Sequence, residues 1–166
     1  MANKSAFASG EWKTLLESVM AAGLAVSAAE PSGLWGLLKE SFASGTLLAK
    51  AKMETGSNEL VKAVVDDFAT SEGRAASRDD LKEKLGGKKP AEVKAACIAI
   101  LSEVDGILSA KAPGDADAFK GWLRQISQSV AEASSEGGFL GICGVVVSDA
   151  EKATVSEISR ALKLPG

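Results

Sequence analysis

Carboxylates are the side chains in this chain whose placement could support chemistry. Glu30 and Glu40 flank the junction between the first two apolar stretches, Asp105, Asp115 and Asp117 flank a later one, and Asp149 and Glu151 open the last. Oxygen-rich groupings of this kind suit a hard divalent cation such as calcium or magnesium, which takes six to eight carboxylate, carbonyl and water oxygens. Glu30, Glu40 and Asp105 are the candidate metal ligands. The competing structural reading is that acidic residues at helix starts cap free N–H groups and complement the helix dipole. No EF-hand spacing is present, so the capping reading is preferred.

Other chemistries are excluded by composition. Histidine is absent, which removes Ser–His and Cys–His nucleophilic catalysis and histidine-ligated metals in their ordinary forms. The cysteines, Cys97 and Cys143, have no zinc-ligand spacing. Cys97 falls on an apolar stripe and reads as a buried structural thiol. Cys143 has no basic residue near it in sequence to lower its pKa and reads as inert. The repeat Gly138-x-x-Gly141-x-x-Gly144 is neither a dinucleotide fingerprint nor a Walker loop, and reads as structural. No catalytic residue and no cofactor is expected, and the chain reads as a non-enzyme.

The net charge of −3 arises from 19 basic and 22 acidic residues that are interspersed. Sequence-independent nucleic-acid binding needs a basic stripe, so no nucleic-acid partner is expected. No apolar run approaches a membrane span, the first ten residues lack the apolar core of a signal peptide, and two cysteines cannot build a disulfide framework. A reducing, cytoplasmic location is the expectation.

The elements that must position these residues are helical. A 46% hydrophobic fraction in 166 residues supports a single packed domain over 1–166, and the scarcity of aromatics, with no tyrosine, disfavours strands. Apolar residues recur at i, i+3, i+4 and i+7 through most of the chain. The fold class is therefore all-α, a single-domain bundle of about seven helices. The first covers 11–29 through Trp12, Leu15, Leu16, Val19 and Leu24. The second covers 33–53, where Trp35 is a further core candidate. The third covers 59–69 after an N-cap at Asn58, and 71–76 reads as a polar connection. A short fourth opens at 77–80 and ends at Gly86-Gly87. The fifth opens at Pro90 and carries Val93, Cys97, Ile100, Leu101, Val104 and Leu108, the strongest stripe and the expected centre of the core. Residues 112–115 read as a turn. The sixth covers 116–134 with Phe119, Trp122, Leu123, Ile126 and Val130. Ser148 and Glu151 then match a capping box for the last helix. Before it, 136–147 reads as a glycine-rich apolar loop that seals one end of the core through Phe139, Leu140 and Ile142.

Two stretches also resemble one another. Glu103-Val104-Asp105-Gly106-Ile107-Leu108-Ser109 and Gly144-Val145-Val146-Val147-Ser148-Asp149-Ala150-Glu151-Lys152 each read as an acidic, glycine-bearing turn followed by a helix, and Glu30-Pro31-Ser32-Gly33 is a third. This pattern resembles the TerB-like proteins, bacterial all-helical domains associated with tellurite resistance and related stress responses. That family has Ala-Asp-Gly after the first helix and a glutamate early in the next. The matching positions here are Ala28, Ala29 and Glu30, then Gly33 and Glu40, with glutamate in place of aspartate and Pro31 intervening. The 136–152 segment resembles the tail of a group of small uncharacterised bacterial proteins.

The resemblance implies a helical protein that binds a partner, with an unknown protein or self-association as the contact and a divalent cation as the ligand of any carboxylate site. The alternative is a carboxylate-based metal-binding protein or a metal-dependent hydrolase using Glu30, Glu40 or Asp105. An oligomerising structural module is a third reading. Calcium or magnesium should leave the melting temperature unchanged, because only a ligand bound by the native state raises it. A rise abolished by Glu30→Gln together with Glu40→Gln would instead establish the carboxylate site.

Overall fold

The computed structural model describes residues 2–29, 58–136 and 147–165. Within them lie six α-helices and no strands: α1 (Ser9–Ala29), α2 (Glu59–Ala69), α3 (Ser71–Leu85), α4 (Pro90–Lys111), α5 (Pro113–Glu136) and α6 (Asp149–Ala161). A single 3₁₀ turn, Lys4–Ala6, precedes α1. The expected helix over 33–53, with Glu30, Trp35 and Glu40, falls outside the described residues, as does most of the glycine-rich loop with Phe139, Leu140, Ile142 and Cys143. Among the described residues no helix is long and apolar enough to cross a membrane.

The helix enclosed by the others is α1, whereas the sequence pointed to α4. Leu15, Ala21, Ala22, Ala25 and Val26 are fully buried, and so are the polar Glu17 and Ser18. The small residues explain this. Alanines on successive turns let neighbouring helices approach from several directions, so the burial is spread around α1 instead of confined to a stripe. α1 packs against α3, α4, α5 and α6, and its largest interface is with α4. α4 is one-sided by comparison. Val93, Cys97, Leu101, Val104 and Leu108 face inward, while Glu92 and Glu103 are exposed.

Two junctions are tighter than the sequence implied. Residues 71–76 are the first turns of α3 and not a connection. Thr70 ends α2 and starts α3 at once: its N–H and hydroxyl both donate to the Asp67 carbonyl, and its Oγ1 accepts from the Gly73 N–H at 2.9 Å. A Cβ on Gly73 would stand 2.2 Å from the Asp67 carbonyl oxygen, so this corner requires glycine. Likewise α4 and α5 are separated by Ala112 alone, because Pro113 starts α5 where its missing N–H costs nothing. The 103–109 stretch is continuous helix within α4, not a turn; Gly106 sits in it with nothing within 4 Å of a built Cβ.

The last helix follows the sequence closely. Ser148 and Glu151 form a reciprocal capping box, with Glu151 N–H donating to Ser148 Oγ and Ser148 N–H to Glu151 Oε2. Its far end closes with the Leu164 N–H on the Ser159 carbonyl and the Lys163 N–H on the Arg160 carbonyl, the Schellman pattern. The left-handed position that this motif ordinarily gives to glycine is held by Lys163, at φ 50°.

Of the residues on the expected apolar stripes, Leu16, Val19, Cys97, Ile100, Leu101, Val104, Trp122 and Ile126 are all buried, and Phe68 of α2 and Ile158 of α6 join them in the core. Leu101→Ala should cost about 2–5 kcal/mol, the lost transfer energy plus a cavity. Chemical denaturation of the single variant checks this, and a loss below about 1 kcal/mol would show that the α1–α4 interface can collapse around the missing side chain.

Candidate functional site

Of the three sequence-predicted metal ligands, Glu30 and Glu40 lie outside the described residues. Asp105 is on α4 and is buried. Its Oδ1 accepts from Lys120 Nζ at 3.1 Å and its Oδ2 meets Lys163 Nζ at 2.8 Å. Burial would push this carboxyl up, but the two ammonium groups outweigh it and hold it below the usual carboxylate range. Lys120 is itself buried, and Asp117, 3.8 Å from it, is fully exposed. Asp115 accepts from the Ala2 N–H and from Asn58 Nδ2. Asp105 and Asp117 thus share Lys120, while Asp115 is engaged elsewhere, by Ala2 and Asn58. Among the described residues no group of three or more acidic or sulfur side chains could hold a metal.

A second charged cluster was missed from sequence. Lys13 and Glu17 stand one turn apart on α1, and Asp80 and Lys84 one turn apart on α3. Lys13 pairs with Asp80, and Lys84 reaches Glu17 Oε2 at 2.6 Å. Glu17 is about 1% exposed. Burial pushes its carboxyl above the ordinary value, with Lys84 opposing and a hydrogen bond to Asp80 assisting. Asp80 shifts the other way, held down chiefly by its hydrogen bond to Lys13. The available signal was the acid–base spacing of i, i+4 on both helices, which is ordinarily read as a solvated face.

Beside this cluster opens a cleft of about 430 Å³ between the N-terminal arm, α1 and the α2–α3 corner. Phe7, Trp12 and Leu16 give it an apolar wall, and Lys4, Lys13, Asp67 and Glu72 its charged rim. The Phe7 and Trp12 rings pack at 5.7 Å between centroids. Asp67 Oδ2 accepts from Trp12 Nε1 at 2.6 Å and from Lys4 Nζ at 2.8 Å. Partial burial would raise this carboxyl, but those two donors hold it below its usual value. The turn at Thr70 sets the geometry, since it folds α3 back so that Gly73 and Glu72 border the same space as Asp67. A smaller cavity of about 240 Å³ lies between α5 and α6, near Ala131, Val147 and Val155.

Among the described residues the one cysteine is quiet. Cys97 is buried, which pushes its thiol up to about 12 and keeps it protonated. Ser27 Oγ and Trp122 Nε1 are buried without a hydrogen-bond partner, and no described cavity adjoins either. No family model matches the chain, and neither a curated protein nor a solved structure is detectably similar to it.

The two buried acids should respond oppositely to neutralisation. Glu17 has a raised pKa, so its protonated form is favoured in the fold and its ionisation opposes stability as pH rises through that value. Glu17→Gln should therefore raise the melting temperature at pH 7, with the gain shrinking below the ordinary carboxyl range. Asp105 has a lowered pKa, so its stabilisation is present above the ordinary value and lost as pH falls through the folded one. Asp105→Asn leaves buried Lys120 with only the exposed Asp117 as counter-charge and should cost about 3 kcal/mol at pH 7. Melting curves of both variants against pH check the pair of signs.

Proposed function

We propose that this chain is a non-enzymatic bacterial helical domain that binds a protein partner in the cleft beside Trp12, in a cytoplasmic, TerB-like role in the response to tellurite and related stress. The observation that supports partner binding is the cleft itself. Its volume is that of a binding pocket. Phe7, Trp12 and Leu16 show the cleft only the edges of buried side chains, and the charged rim of Lys4, Lys13, Asp67 and Glu72 supplies the polar groups that would fix a partner's orientation. The stress-related role rests on the sequence resemblance.

The metal-binding alternative draws no support from Asp105, since both its oxygens already meet ammonium groups. Partner binding needs no such site. It needs a preformed surface, and the Thr70 corner, the Trp12–Asp67 hydrogen bond and the Phe7–Trp12 contact supply one.

A photo-cross-linking residue in place of Ser9, exposed at the cleft, should give a discrete adduct in cells challenged with tellurite. The same residue in place of Glu103, exposed on α4, should not. Cells lacking the protein should tolerate less tellurite. Equal labelling from both positions would remove the cleft as the binding surface, and unchanged tolerance would remove the stress role.

A further inference from the structure

We infer that α3 is a releasable flap over α1, held by the Lys13–Asp80 pair and opposed by the buried Glu17 carboxylate beneath it, so that the fold opens here locally without unfolding as a whole. The device does not depend on what occupies the cleft.

Little apolar surface holds α3 down. Gly73, Ser77 and Leu81 are its buried residues, and Leu85 packs half-buried against the core. Leu81 is the one buried position with a sizeable apolar side chain. Ser77 Oγ meets only the Met20 sulfur, at 3.6 Å, and a thioether is a weak acceptor. By contrast α4 buries Val93, Cys97, Ile100, Leu101, Val104 and Leu108. Segments with few buried apolar contacts open at a lower free energy than the fold as a whole.

The charges between α1 and α3 pull in opposite directions. Lys13 and Asp80 are both partly exposed, so pairing costs them little contact with water. Glu17 is about 1% exposed. Its partners are both on α3: Lys84 donates to it, and Asp80, a second acid, is hydrogen-bonded to it. Taking a carboxylate out of water costs more than one half-exposed lysine returns, and the raised pKa of Glu17 reflects the same balance. Opening returns Glu17 and Lys84 to water at the expense of the Lys13–Asp80 pair and the burial of Leu81.

The joints set the direction of opening. α2 and α3 meet at Thr70 with no residue to spare. Gly86, Gly87, Lys88 and Lys89 separate α3 from α4, and Gly87 sits at φ 73°, where glycine alone is unstrained. α3 therefore lifts from its C-terminal end and pivots at Thr70. Lifting extends the cleft along α1 from Lys13 and Leu16, which line it, toward Glu17 and Met20. A freed helix of 15 residues is marginal in water, so its amides exchange when it lifts.

Native-state amide exchange of the full chain, followed by NMR in low urea, tests the flap. Amides of residues 76–85 should exchange as a group, about 100-fold faster than those of α4 and with a weaker urea dependence, because the opening exposes little surface. Two substitutions on α1 leave the sequence of α3 untouched. Lys13→Met removes the holding pair and should quicken α3 exchange about three-fold. Glu17→Gln can still accept from Lys84 and donate to Asp80 but carries no charge, and it should slow α3 exchange about ten-fold. Because it stabilises the fold, it decides the matter if Lys13→Met melts early. Ile126→Val on α5, outside the helices that α3 chiefly packs against, weakens the closed and open forms alike, so it should quicken α4 exchange and leave α3 unchanged. Exchange of α3 with the rate and urea dependence of α4, or quickened by Ile126→Val as much as α4, would overturn the flap. So would α3 rates that ignore both α1 substitutions or move against these signs.

Discussion

Enclosing α1 is the constraint from which the other packing choices follow. A helix surrounded by neighbours must satisfy most of its polar groups without water, and on α1 Ser27 Oγ is buried without a hydrogen-bond partner. Thr14 and Ser18 do so by donating back to carbonyls of their own helix. Ser127 of α5 donates to the Ala22 carbonyl, using the close approach that the alanine-rich turn permits. Glu17 cannot be satisfied in this way, and the solution is α3, which brings Lys84 and Asp80 to it.

This use of α3 explains why the cleft exists. Only Gly73, Ser77 and Leu81 of α3 are buried, so the helix brings little apolar surface to the core. It is held instead by the Lys13–Asp80 pair to α1 and by the Thr70 corner. A helix docked through charges and one leucine does not close the space at its own N-terminal end. The short arm carrying Phe7 lies over part of that space and leaves the rest open. The polar docking of α3 and the apolar wall of the cleft are two results of one local shortage of hydrophobic side chains.

The sequence conveys the stripes well and the tertiary charges poorly. α2, α5 and α6 lie close to where periodicity and caps put them, because apolar spacing and N-cap chemistry are local properties. The start of α3 escaped notice because Ser71, Glu72, Gly73 and Arg74 carry no apolar spacing, and the decisive cap, Thr70, acts on a glycine that looks like a breaker. Asp105 attracted attention as an acid flanking a junction together with Asp115 and Asp117, whereas the structure buries it within α4. Its partner Lys163 is far away in sequence and reaches it only after α6 docks. Glu17 was hidden by the rule that charges face solvent, since nothing local says that a second helix will cover it. The centrality of α1 was hidden for a related reason: alanines give a weak stripe while allowing the closest packing.

Lys163 ties two distant properties together. A lysine in the left-handed region carries a backbone cost of about 1 kcal/mol that glycine would avoid, yet this backbone geometry accompanies its ammonium's contact with Asp105. The shape of the last turn of α6 and the charge on an acid in α4 are therefore thermodynamically linked. When Asp105 is neutralised, the left-handed turn loses its compensation, and the Leu164 N–H that closes it should exchange with solvent more readily. The amide-exchange rate at the end of one helix thereby becomes a readout of a proton held in the middle of another.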